Sequence, residues 1–292
     1  MQAALFVSKG RSRFMEYQET KDALGRRMLL LSDGKTEVGV ALDFGIRVIH
    51  LSCVEQENLF YQQPLDCSDG FFKPTGWRLY GGHRMWLAPQ NQQVYHGDNT
   101  PIHYTLLESG VVVTQDLDPL SGLEKELTIL FADDGHIRLN HRVYNRTDHI
   151  ITGASWSINT FDQGGKAIVH FKGTDRSDLT PRRIVSLWGN TNLGDPRLLF
   201  TEDSLTVTHT PLDAFFKLGL YSKTGTAIFE NKNQRLTLSF GVPPLESLCD
   251  GGCNFELYMC SKFIELEPLG EIVSIAPGQY ATHWEEWFLE RL

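Results

Sequence analysis

The feature that most constrains this chain is the alternation of apolar and polar residues with a period of two, repeated along most of its length. Val38-Gly-Val-Ala-Leu-Asp-Phe44 leads into Ile46-Arg-Val-Ile-His-Leu-Ser-Cys53, and Val111-Val-Val-Thr-Gln-Asp116 precedes Leu123-Glu-Lys-Glu-Leu-Thr-Ile-Leu-Phe131. His136-Ile-Arg-Leu-Asn-His-Arg-Val-Tyr144 precedes Ile150-Ile-Thr-Gly-Ala-Ser-Trp-Ser-Ile158, and similar runs follow at 204–210, 215–221, 226–230, 234–240, 254–260 and 280–289. Successive side chains of a strand point to opposite faces, so such runs bury one face and wet the other. Between them stand turn signals: Asp-Pro-Leu-Ser-Gly at 118–122, Ala-Asp-Asp-Gly at 132–135, Asn-Arg-Thr-Asp at 145–148, Lys-Thr-Gly at 223–225 and Asn-Lys-Asn at 231–233. No long 3.6-residue period and no alternation of strand and helix is present. An antiparallel all-β sandwich or barrel with large sheets is expected. No linker divides the chain, so one domain over 1–292 is expected. The segments 54–104 and 172–203 are the least regular, and long loops on such a scaffold are where ligands bind.

Bulk properties narrow the partners. The net charge of −9 argues against nucleic acid, whose phosphates need a basic surface. No stretch approaches the roughly eighteen apolar residues of a membrane span. The first residues, MQAALFVSKGRSRF, hold too short an apolar run for a signal peptide, so a cytoplasmic protein is expected. Of the five cysteines, Cys53 and Cys260 lie in apolar, strand-like runs and are expected to be buried thiols. Cys249 and Cys253 flank Asp-Gly-Gly, but no second Cys/His pair stands nearby to complete a zinc site. No metal and no cofactor is expected; nucleotide and nucleophile motifs are absent.

The richest local cluster is Gly81-Gly-His-Arg-Met-Trp-Leu-Ala-Pro-Gln90, followed by His96-Gly97-Asp98. Two glycines allow a sharp turn and a close approach of backbone to ligand. Arg84 offers a fork of donors and Trp86 a flat apolar plate, the combination that suits a sugar's hydroxyls and its C–H face. His83 and His96 can exchange protons near neutral pH. Asp98 joins the candidate binding residues. The alternative is a glycine bulge with Trp86 in the core. In Phe263-Ile-Glu-Leu-Glu-Pro-Leu-Gly270, Glu265 and Glu267 share a strand face about 7 Å apart, which suits a general base or acceptors for hydroxyls; otherwise this is a solvated face. Lys217, between Phe215-Phe216 and Leu218-Gly-Leu220, is a site cation or an outward-facing residue. Asp195 and Arg197 are expected to form a local ion pair.

The order of these blocks resembles the galactose mutarotase-like proteins, the aldose 1-epimerase clan. The resemblance spans about residues 35–289. It rests on Leu42-Asp-Phe-Gly-Ile-Arg47 with Glu57-Asn58-Leu-Phe60, on Gly81-Gly-His-Arg84 with His96-Gly97, on Asn145-Arg-Thr147, on Phe216-Lys-Leu-Gly219, and on Ile264-Glu-Leu-Glu267 with Ala276-Pro-Gly-Gln279. An uncharacterised bacterial branch, with Gly-Gly-His-Arg-x-Trp-x-Ala-Pro and Glu-Leu-Glu blocks, is the most similar. The resemblance implies a β-supersandwich with a sugar-sized cleft, a histidine acid at the ring oxygen and a glutamate base at the anomeric hydroxyl, here Glu265 or Glu267. It adds Asn58 and Trp156 to the candidate binding residues. The clan's main catalytic histidine lies on the strand held here by Gly153-Ala-Ser-Trp-Ser-Ile-Asn159, where no histidine stands and Trp156 is nearest. His83 or His96 would then supply the acid. A sugar-binding protein, with mutarotase or epimerase activity, is expected. The rivals are a non-catalytic carbohydrate-binding module and a metal-dependent lyase or hydrolase built on the histidine-rich segment 83–103.

Overall fold

The computed structural model describes residues 9–11, 15–64, 77–171 and 183–292. They form two large antiparallel sheets, of eleven and ten strands among the described residues. Five strands from Lys9–Arg11 to Val48–Cys53 run as a meander into the first sheet. They are followed in space by Gly82–Ala88, Ile151–Asp162, Phe263–Ile275, Phe255–Met259, Phe216–Leu220 and Val185–Leu187. The second sheet pairs Tyr280–Arg291 with Gln234–Phe240 on one side and Ile137–Asn145 on the other. No helix among the described residues is long and apolar enough to cross a membrane.

The strands form where the alternation requires them. Ile137–Asn145 and Gln234–Phe240 bury every second residue. Leu139, Phe229, Leu236 and Leu238 enter the layer between the sheets, where each is fully buried. Burial of one such side chain contributes about 1.5–3 kcal/mol. The hairpin joining Thr226–Asn231 to Gln234–Phe240 turns through Lys232 and Asn233, both at positive φ (49° and 56°). That is the twist-compatible turn that Asn-Lys-Asn signals.

The segment 54–104 departs from its irregular appearance. It holds the strand Gly82–Ala88, buried at every residue, at the middle of the first sheet. A strand covered on both faces has no wet face to mark with polar residues, so alternation is absent. Gly81 and Gly82 open it at positive φ, and a Cβ would collide with the carbonyl oxygen of Tyr61 on the first and of Val48 on the second. The pair therefore serves close backbone packing, at the very strand that carries Arg84 and Trp86.

Around the middle of this strand the space between the sheets is polar. His83 Nδ1 lies 2.8 Å from Asn159 Oδ1, and His83 Nε2 lies 2.8 Å from His141 Nε2. Glu285 accepts from Trp287 Nε1 (2.8 Å), from Asn159 Nδ2 (3.3 Å) and from the Ser157 hydroxyl. His283 Nε2 lies 3.2 Å from the same hydroxyl. Burial pushes His83 below the ordinary imidazole range and His141 well below it. Burial raises the Glu285 carboxyl, but the facing imidazoles and the Ser157 hydroxyl outweigh it and bring it down to about 2.

Candidate functional site

The opposite face of the same strands builds a cleft. Residues 84 and 86 of Gly82–Ala88, 156, 158 and 160 of Ile151–Asp162, 265 and 267 of Phe263–Ile275, 256 and 258 of Phe255–Met259, and 217 of Phe216–Leu220 share it by alternation. The register brings them side by side: Trp86 opposite Trp156, Glu265 opposite Thr160 and Tyr258, Glu267 opposite Glu256, and Lys217 opposite Tyr258. Above them lies a cavity of about 550 Å³, of the size that holds a small molecule. Trp77, Trp86, Tyr95, Trp156 and Trp188 line it with apolar surface, and Arg84, Lys217, Glu265 and Glu267 with charge.

The charged floor has two halves. In the first, Arg84 lies over the Trp86 ring, 4.5 Å from its centroid, and donates from Nη1 to Thr160 Oγ1 (3.1 Å) and Glu265 Oε1 (3.2 Å). The Thr160 hydroxyl donates to the same Glu265 oxygen at 2.7 Å. Arg84 Nε is buried with no hydrogen-bond partner among the described residues. In the second half, Lys217 Nζ lies 2.6 Å from Glu256 Oε2 and 3.0 Å from Glu267 Oε2, over the rings of Trp156 (4.5 Å) and Trp188 (5.2 Å). Trp156 Nε1 donates to Glu267 Oε2 at 2.9 Å.

One ammonium faces two carboxylates here. Burial pushes the Glu256 carboxyl up to about 8 against the pull of Lys217, with Glu267 adding to the rise. Burial raises Glu267 as well, again opposed by Lys217. Burial lowers Lys217, but the two carboxylates outweigh it and hold it as an ammonium.

The other sequence candidates fall elsewhere. Asp98 is buried beneath Trp86, accepting from its Nε1 at 2.7 Å, from Lys125 Nζ at 3.0 Å and from Arg47 Nη2 at 3.3 Å. Burial raises its carboxyl and these cations outweigh that, so it stays below the usual range and holds the indole in place. Asn58 braces a loop: its Oδ1 accepts from Leu51 N (2.9 Å) and Phe60 N (3.0 Å), and its Nδ2 donates to Ile49 O (2.8 Å). His83 points between the sheets, because one residue of offset from Arg84 reverses the face. His96 ends a short 3-10 turn and faces a separate small hollow beside Ser121 and Lys125. The structure thus brings Arg84, Trp86, Trp156, Lys217, Glu265 and Glu267 together at the cavity, places Asp98 behind Trp86 as its support, and sets His83, His96 and Asn58 apart. Asp195 and Arg197 form their ion pair at 2.7 Å. Cys53 is buried and Cys260 half-buried. Among the described residues no group of three or more His, Cys, Asp or Glu side chains could hold a metal ion. Glu256, Tyr258, Thr160 and Trp188 are not among the residues the sequence singles out. The alternation in Phe255-Glu-Leu-Tyr-Met259 carried the signal for the first two; Trp188 lies in a loop that no pattern marks.

No protein-family model and no curated protein sequence matches the chain. Solved structures do. A galactose mutarotase-like protein from Clostridium acetobutylicum superposes with a TM-score of 0.59 at 10% identity, over 97% of this chain and 100% of that one. One from Lactobacillus casei gives 0.58 at 13% identity, over 90% and 100%. A galactose mutarotase related enzyme from Lactobacillus acidophilus gives 0.53 at 10% identity, over 90% and 97%. The chain has the fold of the galactose mutarotase-like proteins, and at these identities the likeness is one of fold.

Proposed function

We propose that the cleft binds a single sugar ring and interconverts its anomers. The observation that carries this reading is the convergence of two indole plates with two carboxyl groups, Glu265 held by Arg84 and Glu267 by Lys217, on the floor of one cavity. Trp86 and Trp156 offer apolar faces for the C–H side of a ring, while Arg84, Lys217, Glu265 and Glu267 supply donors and acceptors for hydroxyls. Fold alone does not settle function, but a cavity in this position on this fold agrees with the reading. Anomer exchange requires a proton given to the ring oxygen and one taken from the anomeric hydroxyl. Polarimetry and proton NMR on D-glucose, D-galactose, D-mannose and glucose 6-phosphate test it. Exchange faster than in buffer for at least one sugar is expected; rates equal to buffer for every sugar overturn the catalytic part.

A non-catalytic carbohydrate-binding protein is the second reading. It is favoured by the placement of both candidate histidines away from the cleft, His83 between the sheets and His96 at another hollow. It predicts saturable sugar binding without exchange.

A further inference from the structure

With the histidines elsewhere, the proton donor has to come from what faces the cavity. Glu267 and Glu256 are direct partners on adjacent strands, and both contact the same ammonium. One positive charge cannot neutralise two carboxylates about 5 Å apart at their Cβ atoms, so the trio favours one retained proton. Arg84, two strands away across Ile151–Asp162, draws Glu267 down weakly, but among the described residues its carboxylate hydrogen bond is to Glu265. Glu265 itself lies two residues along on Glu267's own strand and adds like charge, as the phenol of Tyr258 would if ionised. Glu265 differs in its partners, since its Oε1 accepts from the Arg84 guanidinium and from the Thr160 hydroxyl and has no share in the Lys217 ammonium.

Resting on the sugar reading above, we propose that the two carboxyls divide the acid–base work, Glu267 giving the proton and Glu265 taking one, with Glu256 as a positioning residue behind Lys217. The Glu267 O–H bond breaks and its proton passes to the ring oxygen. Glu265 accepts the proton of the anomeric hydroxyl. The bond between the anomeric carbon and the ring oxygen breaks, its electron pair stays on that oxygen, and the carbonyl forms. The aldehyde turns about the next carbon–carbon bond and the ring recloses by the reverse transfers, so both carboxyls return to their starting states. Glu256 lies outside the cavity lining and acts through Lys217: it shares the ammonium with Glu267, so one proton is retained between the two carboxyls, and Glu267 is the one that faces the cavity. Two carboxyls side by side in one cleft, held by different partners, are the pattern of an acid and a base.

The full-length protein carries the test, with Glu267→Gln, Glu265→Gln and Glu256→Gln variants, thermal unfolding to show that each is folded, and D-glucose, D-galactose, D-mannose and glucose 6-phosphate as probes. Both Glu267→Gln and Glu265→Gln are expected to lose about 100-fold or more in exchange rate while saturable binding persists. Glu256→Gln is expected to retain exchange but to move the alkaline limb of its pH profile to lower pH, because Lys217 then serves Glu267 alone. A carboxyl-carbon NMR titration of glutamate-labelled protein reads the retained proton without any turnover: one cleft carboxyl titrates above the ordinary range and is lost in Glu267→Gln or Glu256→Gln. Ordinary titration of every carboxyl, exchange that survives Glu267→Gln, or an unmoved alkaline limb in Glu256→Gln overturns the assignment while leaving the sugar reading standing. Binding without exchange for every probe overturns the turnover reading and the assignment with it.

Discussion

The same central strands build two buried polar clusters, one on each face, and these differ in almost every physical respect. On the cleft face, Arg84, Lys217, Glu265 and Glu267 are polar groups set against indole rings and open to a cavity, with Glu256 behind Lys217. On the inner face, His83, His141, His283, Asn159, Ser157 and Glu285 form a sealed network in which one carboxylate is held by neutral donors. A structural network satisfies its own hydrogen bonds. The cleft leaves capacity unused, at Arg84 Nε and at the shared ammonium of Lys217. The comparison also reverses the roles that residue type suggests. His83, His141 and His283, of a type that titrates near neutral pH in water, are interior packing, and it is Glu265 and Glu267 that line the cavity.

The comparison breaks most readily at Glu285. Replacing it with alanine removes the acceptor of the Trp287 indole and leaves the Ser157 hydroxyl and the Asn159 amide to the Pro268 and Leu266 carbonyls. A loss of about 3–5 kcal/mol in urea unfolding is expected. A loss below 1 kcal/mol would show that the inner network does not hold the sheets together.

Lys217→Met is the matching change on the cleft face. It leaves Glu256 and Glu267 facing one another without their cation, and both can relieve the repulsion by binding protons. Stability is expected to fall by about 1–3 kcal/mol, less than at Glu285. Sugar binding measured by calorimetry is expected to drop at least tenfold. Unaltered binding would remove Lys217 from the site.

The two faces also pull stability in opposite directions with pH. His83 and His141 have folded-state proton affinities below the ordinary value of 6.5, so the unfolded chain binds more protons as pH falls below it. Their contribution is full above about 6.5 and is lost on acidification. Glu285, lowered to about 2 from 4.5, adds a further loss as pH falls from 4.5 toward 2. Glu256, raised to about 8, contributes fully below 4.5 and loses its contribution as pH rises toward 8. Relative to wild type, His141→Gln is therefore expected to gain Tm from pH 7 to pH 5, and Glu256→Gln to gain Tm from pH 5 to pH 8. Parallel Tm curves for wild type and either variant would contradict the corresponding assignment.

The smallest effect is expected at Trp86→Phe, which keeps an aromatic face but removes the indole N–H donated to Asp98. A few-fold weakening of sugar binding, about 1 kcal/mol, is the expected result by calorimetry.

The sequence made some of these residues legible and hid others for physical reasons. Alternation places Arg84 with Trp86, and Glu265 with Glu267, on one face whichever way that face points. It cannot say which face meets the cavity where both are buried, and so His83, one residue from Arg84, was open to the wrong neighbours. Glu256 follows the same alternation, but its importance arises from cross-strand register with Glu267, which no local pattern encodes. The odd spacing of the central strand Ile151–Asp162 adds to this, since a bulge between Ala154 and Trp156 shifts its register against Phe263–Ile275. Asp98 was legible as a polar residue near Trp86 in sequence. Its position beneath the ring, at the junction of Lys125 and Arg47, depends on three separate elements.

Tryptophan fluorescence gives the most direct test that the cleft is the binding site and the inner face is not. Four of the six tryptophans, Trp77, Trp86, Trp156 and Trp188, line the cavity. Titration with D-glucose, D-galactose, D-mannose and glucose 6-phosphate is expected to change the emission saturably for at least one of them in wild type. The same change is expected to persist in His141→Gln and to be lost in Trp156→Ala. No saturable change with any of these sugars, or an equal response in Trp156→Ala and wild type, would contradict the placement of the sugar in the cleft.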